Sequence, residues 1–544
     1  MIVFVIVFNL GIGPIPWLSM SELFPAKARS AASSVATMTS WLLAFVITKT
    51  FADLQASINP YGAFWLYGSV SFVGIFLIWF FVPETKGKSP DEIQRIFINT
   101  ALVYRNPRVR NQFLAAFIAS IAPICAGLVV GYSSPAGPDM DKPGRRLQLE
   151  PQEKSLFSSI VNIGALFGGL LAGFLIDYFG RKLTFLITCI PYVIGWLFIV
   201  YAHSVWMLYV GRVITGVCVG ITCLNTSVYI TEIASPKIRG VLGSFFQLFI
   251  NFGILIAYTV GSYVPWTYLA VYSAILPIIF MILMSFMPES PVWLLRNDNI
   301  LGANQSLQFF RGENYDIAGE IDDLQREKQN EVKLSLKELR NPVILKPLLI
   351  IEMEMLLQQF SGINAVVFNI ADIFSAAKGS LGANEQGMIV GCVMVVASIV
   401  AAFFMDRAGR RVLLLLCSVV MTLSLFTLGV FFILMSMNRN WLPVLCLVVF
   451  IFVFNLGFGP IPWLSMSELF PVKARSFASS VATATSWLVS FVITKTFQDL
   501  QDVIQQYGVF WLYGSVSFLA IILVFFFVPE TKGKSQEEIQ NSFK

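Results

Sequence analysis

Asp177-Tyr178-Phe179-Gly180-Arg181-Lys182 and Asp406-Arg407-Ala408-Gly409-Arg410-Arg411 are two versions of one hexapeptide, each set at the polar end of an apolar run. A carboxylate at a helix end, a glycine that permits a tight turn and two adjacent cations make a bendable ionic latch. A single such loop would do no more than set topology. Two of them, placed equivalently on either side of a polar break, indicate a chain built of two like halves.

Working outward from the first hexapeptide, apolar runs fall near residues 113–132, 156–176, 183–202, 205–230, 241–261 and 267–287. Around the second they fall near 344–374, 387–405, 412–436, 441–466, 476–497 and 508–528. Each is long enough for a bilayer core, which takes about 20 apolar residues at 1.5 Å rise. None alternates as a barrel strand would, so helices are predicted. The composition agrees: 56% hydrophobic, 13% charged and a mean hydropathy of +0.73, far more apolar than a soluble domain. The fold class predicted is therefore an all-α membrane protein of two six-helix bundles, residues 101–287 and 344–544. They are joined by a charged linker, 288–343, in which LSLKELR suggests short amphipathic helices at the membrane surface.

Lys and Arg mark the cytoplasmic loops. They follow the second run (Arg181, Lys182), the fourth (Lys237, Arg239), the eighth (Arg407, Arg410, Arg411), the tenth (Lys473, Arg475) and the twelfth (Lys532, Lys534), which places both termini in the cytoplasm. The loop 133–154 opposes this with Lys142, Arg145 and Arg146, but carries Asp139, Asp141, Glu150 and Glu153 as well. The net charge of +5 is this asymmetry and calls for no nucleic-acid partner.

Several function classes drop out. The seven cysteines, among them Cys125, Cys189, Cys392 and Cys417, lie in apolar runs and are predicted to be buried free thiols, with no disulfide framework or zinc spacing. With one histidine, His203, a His-based metal site or triad is not expected, and no Gly-rich nucleotide loop or signal peptide is seen. No enzyme, metal or cofactor is expected.

Phe4–Phe97 repeats Phe450–Phe543 without a gap, most positions agreeing, from NLG-x-GPIPWLSMSELFP to VPETKGKS. Residues 1–100 are therefore expected to be a duplicated C-terminal fragment of about three spans: part of span ten, spans eleven and twelve, and a tail. Function is read from the longer unit.

That unit carries, in order, GGLLAGFLIDYFGRK, GRVITGVCVG, YITEIASPKIRG, PESPVWLL, QQFSGINAVVF, DRAGRR, GFGPIPW, ELFPVKAR and VPETKGKS. Any one is weak; together they resemble the sugar porter family of the major facilitator superfamily, its trehalose carriers above all. The resemblance implies a plasma-membrane carrier that moves a small sugar, trehalose or a hexose, by alternating access. A midplane sugar site needs neutral amides and an aromatic face rather than charges. Gln358, Gln359 and Asn364 supply amides around Gly362, which can break the helix; Trp463, between Pro460 and Pro462, supplies the aromatic; Gln247 supplies an amide from the other half. By resemblance these five match the family's sugar contacts, against the plainer reading of interhelical hydrogen bonds. The cytoplasmic gate is expected to comprise Asp177, Arg181, Arg212, Glu232, Arg239 and Glu289 in one half and Asp406, Arg410, Glu468 and Arg475 in the other.

Departures from the family pattern bear on substrate and coupling. Phe368-Asn369 stands where a Tyr pair is frequent, Ser486 and Met394 where Asn is, Val292 for an Arg and Ser227 for a Pro. Proton-linked relatives carry a carboxylate near the Gly131-Tyr132 turn; here Ser133 and Ser134 follow it, which favours facilitated uniport. Against that, Glu352 and Glu354 lie about 12 Å into span seven, and an intramembrane carboxylate is a functional hypothesis, so Glu354 is a candidate proton site. Three readings stay open: a facilitative carrier, a non-transporting sugar sensor or inactive duplicate, and a proton-coupled symporter. Oligomeric state is not legible.

Overall fold

The computed structural model describes residues 107–544 except 236–237, 313–314, 330–340, 371–372, 374–382, 435–441, 471, 533, 535–537, 540–541 and 544, together with positions 34, 37, 38 and 40; side chains at 107–109, 239–240, 323, 327–329, 383–386, 403, 405–407, 467 and 472–477 are not described. The chain divides into two compact units, Met1–Arg110 and Asn111–Lys544. The expected duplicate fragment and LSLKELR lie outside the described residues, apart from those four positions.

Among its described residues the second unit is a series of helices joined by short turns, with no strand. α1 (Pro107–Ala119), α2 (Ile121–Gly131) and α3 (Ser133–Met140) follow one another almost without interruption. α4 (Pro151–Phe179) starts on a capping box, with Pro151 at its first turn and the Glu150 amide donating to Glu153 Oε2 at 3.0 Å. α5 (Arg181–Val200), α6 (Val205–Ile233), α7 (Arg239–Tyr263) and α8 (Trp266–Ser285) complete the first half.

Ser133–Met140 was expected to be loop, and the structure makes it a buried helix. Its terminal Asp139 accepts from the Trp266 amide at 3.0 Å and pairs with Lys142 at 3.0 Å and Arg145 at 2.7 Å, while Asp141 pairs with Lys154 at 3.1 Å. Lys142 and Arg145, two of the three cations that opposed the charge asymmetry, are thus paired on the spot.

Short helices α9 (Pro291–Arg296), α10 (Ile300–Arg311) and α11 (Ala318–Gln329) form the linker. Side-chain amides moor them to the bundle: Asn111 and Gln112 donate to the Phe309 and Phe310 carbonyls at 2.7 and 3.0 Å. Arg311 pairs with Glu320 at 2.6 Å and donates to the Ile233 carbonyl at 2.8 Å.

The second half runs α12 (Pro342–Phe360), α13 (Ile363–Phe368), α14 (Ala383–Ala408), α15 (Arg410–Leu434), α16 (Leu442–Leu456), α17 (Ile461–Leu469) and α18 (Val472–Phe527). α18 is two helices run together across Gln505, whose φ of 59° and ψ of 171° are not helical. Among the described residues nine stretches are long and apolar enough to cross a membrane, one of them holding this break; α14 adds a shorter apolar stretch, Gly387–Ala402. α12 and α13 follow one another across a break at Gly362.

Large apolar side chains face outward along the bundle, Phe174 at 66%, Leu423 at 62% and Phe526 at 72% exposure. Such a belt is stable against lipid tails, not water. Inside, Tyr132 packs edge-on to Trp196 at 5.1 Å in the first half, and Phe432 stacks on Phe510 at 5.6 Å in the second. Six cysteines are buried as predicted, but Cys392 is exposed, on the outer face of α14.

Candidate functional site

The five residues singled out from the sequence line one cavity between the halves. Gln247 projects from α7 of the first half; Gln358 and Gln359 from α12, Asn364 from α13 and Trp463 from α17 of the second. The space enclosed is about 110 Å³, and among the described residues its walls hold no Asp, Glu, Lys or Arg.

Gly362 makes this convergence possible. Its φ of 82° is left-handed backbone, so the helix stops at Ser361 and restarts at Ile363 in a new direction. Asn364 thereby turns back toward the last turn of α12. Its amide donates to Gln359 Oε1 at 2.6 Å and to Ser490 Oγ at 2.7 Å. The Gln359 amide donates to Ser486 Oγ at 2.9 Å, and that of Gln358 to the Phe458 carbonyl at 2.6 Å, ahead of the Pro460 kink. Trp463 lies tilted against Phe246 of the first half, ring centres 6.0 Å apart.

Three cavity residues were not picked out in advance. Asn251, one turn beyond Gln247, accepts from it at 3.3 Å and donates to Asn455 Oδ1 at 2.7 Å and Ser398 Oγ at 2.6 Å. The i, i+4 spacing to Gln247 could have flagged it; nothing local distinguishes Asn455. Trp487 lines the cavity, and its buried indole N–H has no hydrogen-bond partner.

At the end of the bundle that carries the basic loops, the two hexapeptides adopt the same structure. Gly180 (φ 86°) and Gly409 (φ 88°) turn the chain so that the first amides of α5 and α15 face a carboxylate. Glu289 accepts from the Arg181 and Lys182 amides at 3.0 and 2.9 Å; Glu530 accepts from Arg410 and Arg411 at 3.0 and 3.2 Å. A helix start is a natural carboxylate site. Arg181 then pairs with Glu232 at 2.7 Å, and Arg410 with Glu468 at 3.0 Å. The far oxygen of each glutamate takes a hydroxyl, Ser290 in one half and Thr531 in the other.

The helix-end carboxylates differ in their balance. Burial pushes the Glu289 carboxyl above its ordinary range despite the amides of Ser290, Lys182 and Arg181. At Glu530 burial acts the same way, but the amides of Lys532, Arg410 and Arg411 prevail and hold it below that range. Glu530 was not singled out from the sequence, although PET repeats the PES of Glu289.

Two expected gate residues take no part in the ion pairs, Asp177 at the same end of the bundle and Arg212 at the other. The Asp177 side chain is exposed and its backbone carbonyl accepts from Trp293 Nε1 at 2.9 Å, so Arg181 is held by Glu232 instead. Arg212 lies near the opposite end of the bundle, fully buried, donating to Ser133 Oγ at 2.6 Å and to the Val129 and Phe157 carbonyls at 2.7 and 3.3 Å. It stacks on the Tyr132 and Phe157 rings. Its early position on α6 puts it there, far from the basic loops. The side chains of Arg239, Asp406 and Arg475 lie outside the described residues. Glu354 is fully buried on α12, with the Ser465 side chain as a polar neighbour.

Two helical bundles facing each other across an uncharged cavity, with matched ionic clasps at one end, define a major facilitator protein. The profile of the family described as "Sugar (and other) transporter" matches residues 1–97 and 115–543, and the chain belongs to that family. It is similar to "Facilitated trehalose transporter Tret1" of Apis mellifera ligustica, 42% identical over 451 residues, covering 81% of this chain and 90% of that protein. The protein of the same name from Bombyx mori is 40% identical over 437 residues, covering 79% and 86%. Among solved structures, the proton:xylose symporter XylE bound to 6-bromo-6-deoxy-D-glucose superposes with a TM-score of 0.70 at 23% identity, covering 80% of this chain and 99% of that one. An inward-open XylE from E. coli gives 0.67 over 80% of this chain and 100% of that one, also at 23% identity.

Proposed function

We propose that this protein is a facilitative sugar carrier of the plasma membrane, a uniporter for trehalose or a hexose that works by alternating access. The observation that carries the reading is the cavity wall: amides from both halves, two indoles and no ionised group. A polyol is recognised by groups that both donate and accept, and neutral amides do so at lower desolvation cost than charges. The insect relatives named as facilitated trehalose transporters support the same substrate class. Arg212 bonds a serine hydroxyl and two carbonyls rather than a carboxylate, which supports transport without a proton. The clasps at Glu232 and Glu468 act as gates that hold each bundle rigid while the bundles rock about the cavity.

Counterflow of labelled trehalose, with labelled glucose alongside, in liposomes tests this. Accumulation of either label identifies a carrier and its substrate; binding without exchange would replace the carrier with a sensor. Glu354 favours a second reading, proton coupling, because a fully buried carboxyl inside the membrane is costly to keep. Residues 1–100 act as a duplicate without a site of their own, since Trp17 has no Gln-Gln partner there; transport by residues 101–544 alone tests that.

A further inference from the structure

Several hydrogen bonds cross between the halves. Tyr258 Oη donates to the Val367 carbonyl at 2.7 Å, and Ser155 Oγ to the Lys495 carbonyl at 3.1 Å. Both lie toward the end of the bundle opposite the basic loops. Asn251 is different, because it bridges the halves at the cavity itself. From α7 its amide reaches Ser398 on α14 and Asn455 on α16, while its own oxygen is taken by Gln247. Asn251, Asn455 and Ser398 are 0, 1 and 4% exposed. In so dry a place these bonds are not in competition with water.

We infer that Asn251 is a positioning residue that clasps the two halves of the empty carrier, and that sugar releases it through Gln247. The inference rests on the carrier reading above. A sugar hydroxyl that engages the Gln247 amide takes it from Asn251 Oδ1. Asn251 then loses a fixed partner on one side, and its amide is free to turn toward the ligand. The bond to Asn455 and Ser398 weakens as the ligand takes its place. Without sugar, parting the halves strands buried amides with no partner, which is costly. The loaded carrier has the ligand to satisfy them, so it reorients faster than the empty one.

The experiment compares equilibrium exchange of labelled trehalose or glucose with net efflux into sugar-free medium, using the full chain in liposomes. Exchange needs only the loaded carrier to reorient; net efflux also needs the empty one. Wild type is expected to exchange faster than it empties. Asn251→Ala, Asn455→Leu and Ser398→Ala each lower the exchange-to-efflux ratio, Asn455→Leu by about fivefold, the factor that one net hydrogen bond carries, and Asn251→Ala by more, since it removes the bond to Ser398 as well. Asn251→Ala combined with Asn455→Leu lowers it no further than Asn251→Ala, which already removes the link to Asn455. Asn455→Leu and Ser398→Ala leave the Gln247–Asn251 pair in place, so either decides the matter should Asn251→Ala not fold. Equal exchange and efflux in wild type, or variants in which the two fall in parallel, would overturn the clasp while leaving the carrier intact. Absence of exchange of both sugars in wild type would remove the carrier reading and the clasp with it.

Discussion

The Asn364 amide donates to Gln359 Oε1 at 2.6 Å across a helix break in which Gly362 holds a φ of 82°. Two residues that a continuous helix would point in different directions are thereby joined into one polar edge of the cavity. A Cβ on Gly362 would lie 2.2 Å from the Tyr513 ring. Gly362→Ala therefore meets both a forbidden φ and a backbone-to-ring clash. Its thermal midpoint in detergent should fall by several degrees and sugar exchange by about tenfold or more. Wild-type behaviour would show that the break is not needed.

Gln359 is bonded to Ser486, Gln358 and Asn364. Gln359→Ala leaves buried partners unsatisfied and should raise the half-saturation concentration for sugar about tenfold or more. Gln247, which donates to Asn251, should cost less when truncated. Concentration dependence of exchange for the two variants checks the order.

Glu289 and Glu530 hold equivalent helix starts with opposite shifts from the ordinary value of 4.5. A raised folded value means a stability contribution that is full below 4.5 and lost as pH rises through the raised value. A lowered one means a contribution present above 4.5 and lost as pH falls through the lowered value. Glu289→Gln should thus flatten the stability profile just above pH 4.5, and Glu530→Gln the profile below it. Thermal melts of both variants across that range separate the two windows; identical profiles would contradict the assignment.

Glu354 is 0% exposed, with the Ser465 side chain and the Glu468 carboxylate as its polar neighbours. If transport is facilitative, Glu354→Gln keeps exchange within about twofold of wild type and raises the thermal midpoint, since a fully buried carboxyl is costly. Uptake stays flat between acidic and neutral media. A pH-dependent uptake that the variant abolishes would establish proton coupling instead.

The second hexapeptide, the run of apolar segments and the GPIPW and QQFSGIN motifs were enough to read the two-bundle architecture and the five cavity residues. Those signals are local. Lipid exposure demands about 20 apolar residues in a row wherever a helix crosses, and a glycine between amides marks a helix break whatever surrounds it. Asn251 and Asn455, some 200 residues apart in sequence, were not legible as partners, because a lone amide in an apolar run looks the same whether it meets lipid, backbone or another amide.

The same limit explains Arg212 and Asp177. Charge type and motif membership placed both with the gate, but the position of Arg212 near the start of α6 carries it to the other end of the bundle, and the turn at Gly180 directs Arg181 toward Glu232. The amino-acid sequence by itself determined that the chain is a series of membrane-length apolar helices, that one of them breaks at Gly362 and which amides and indole are available to line the cavity, because each follows from the solvent that a single segment must satisfy. Only the tertiary structure decided which polar groups pair, since pairing depends on the packing of helices far apart in the chain and buried groups bond whatever that packing brings within reach.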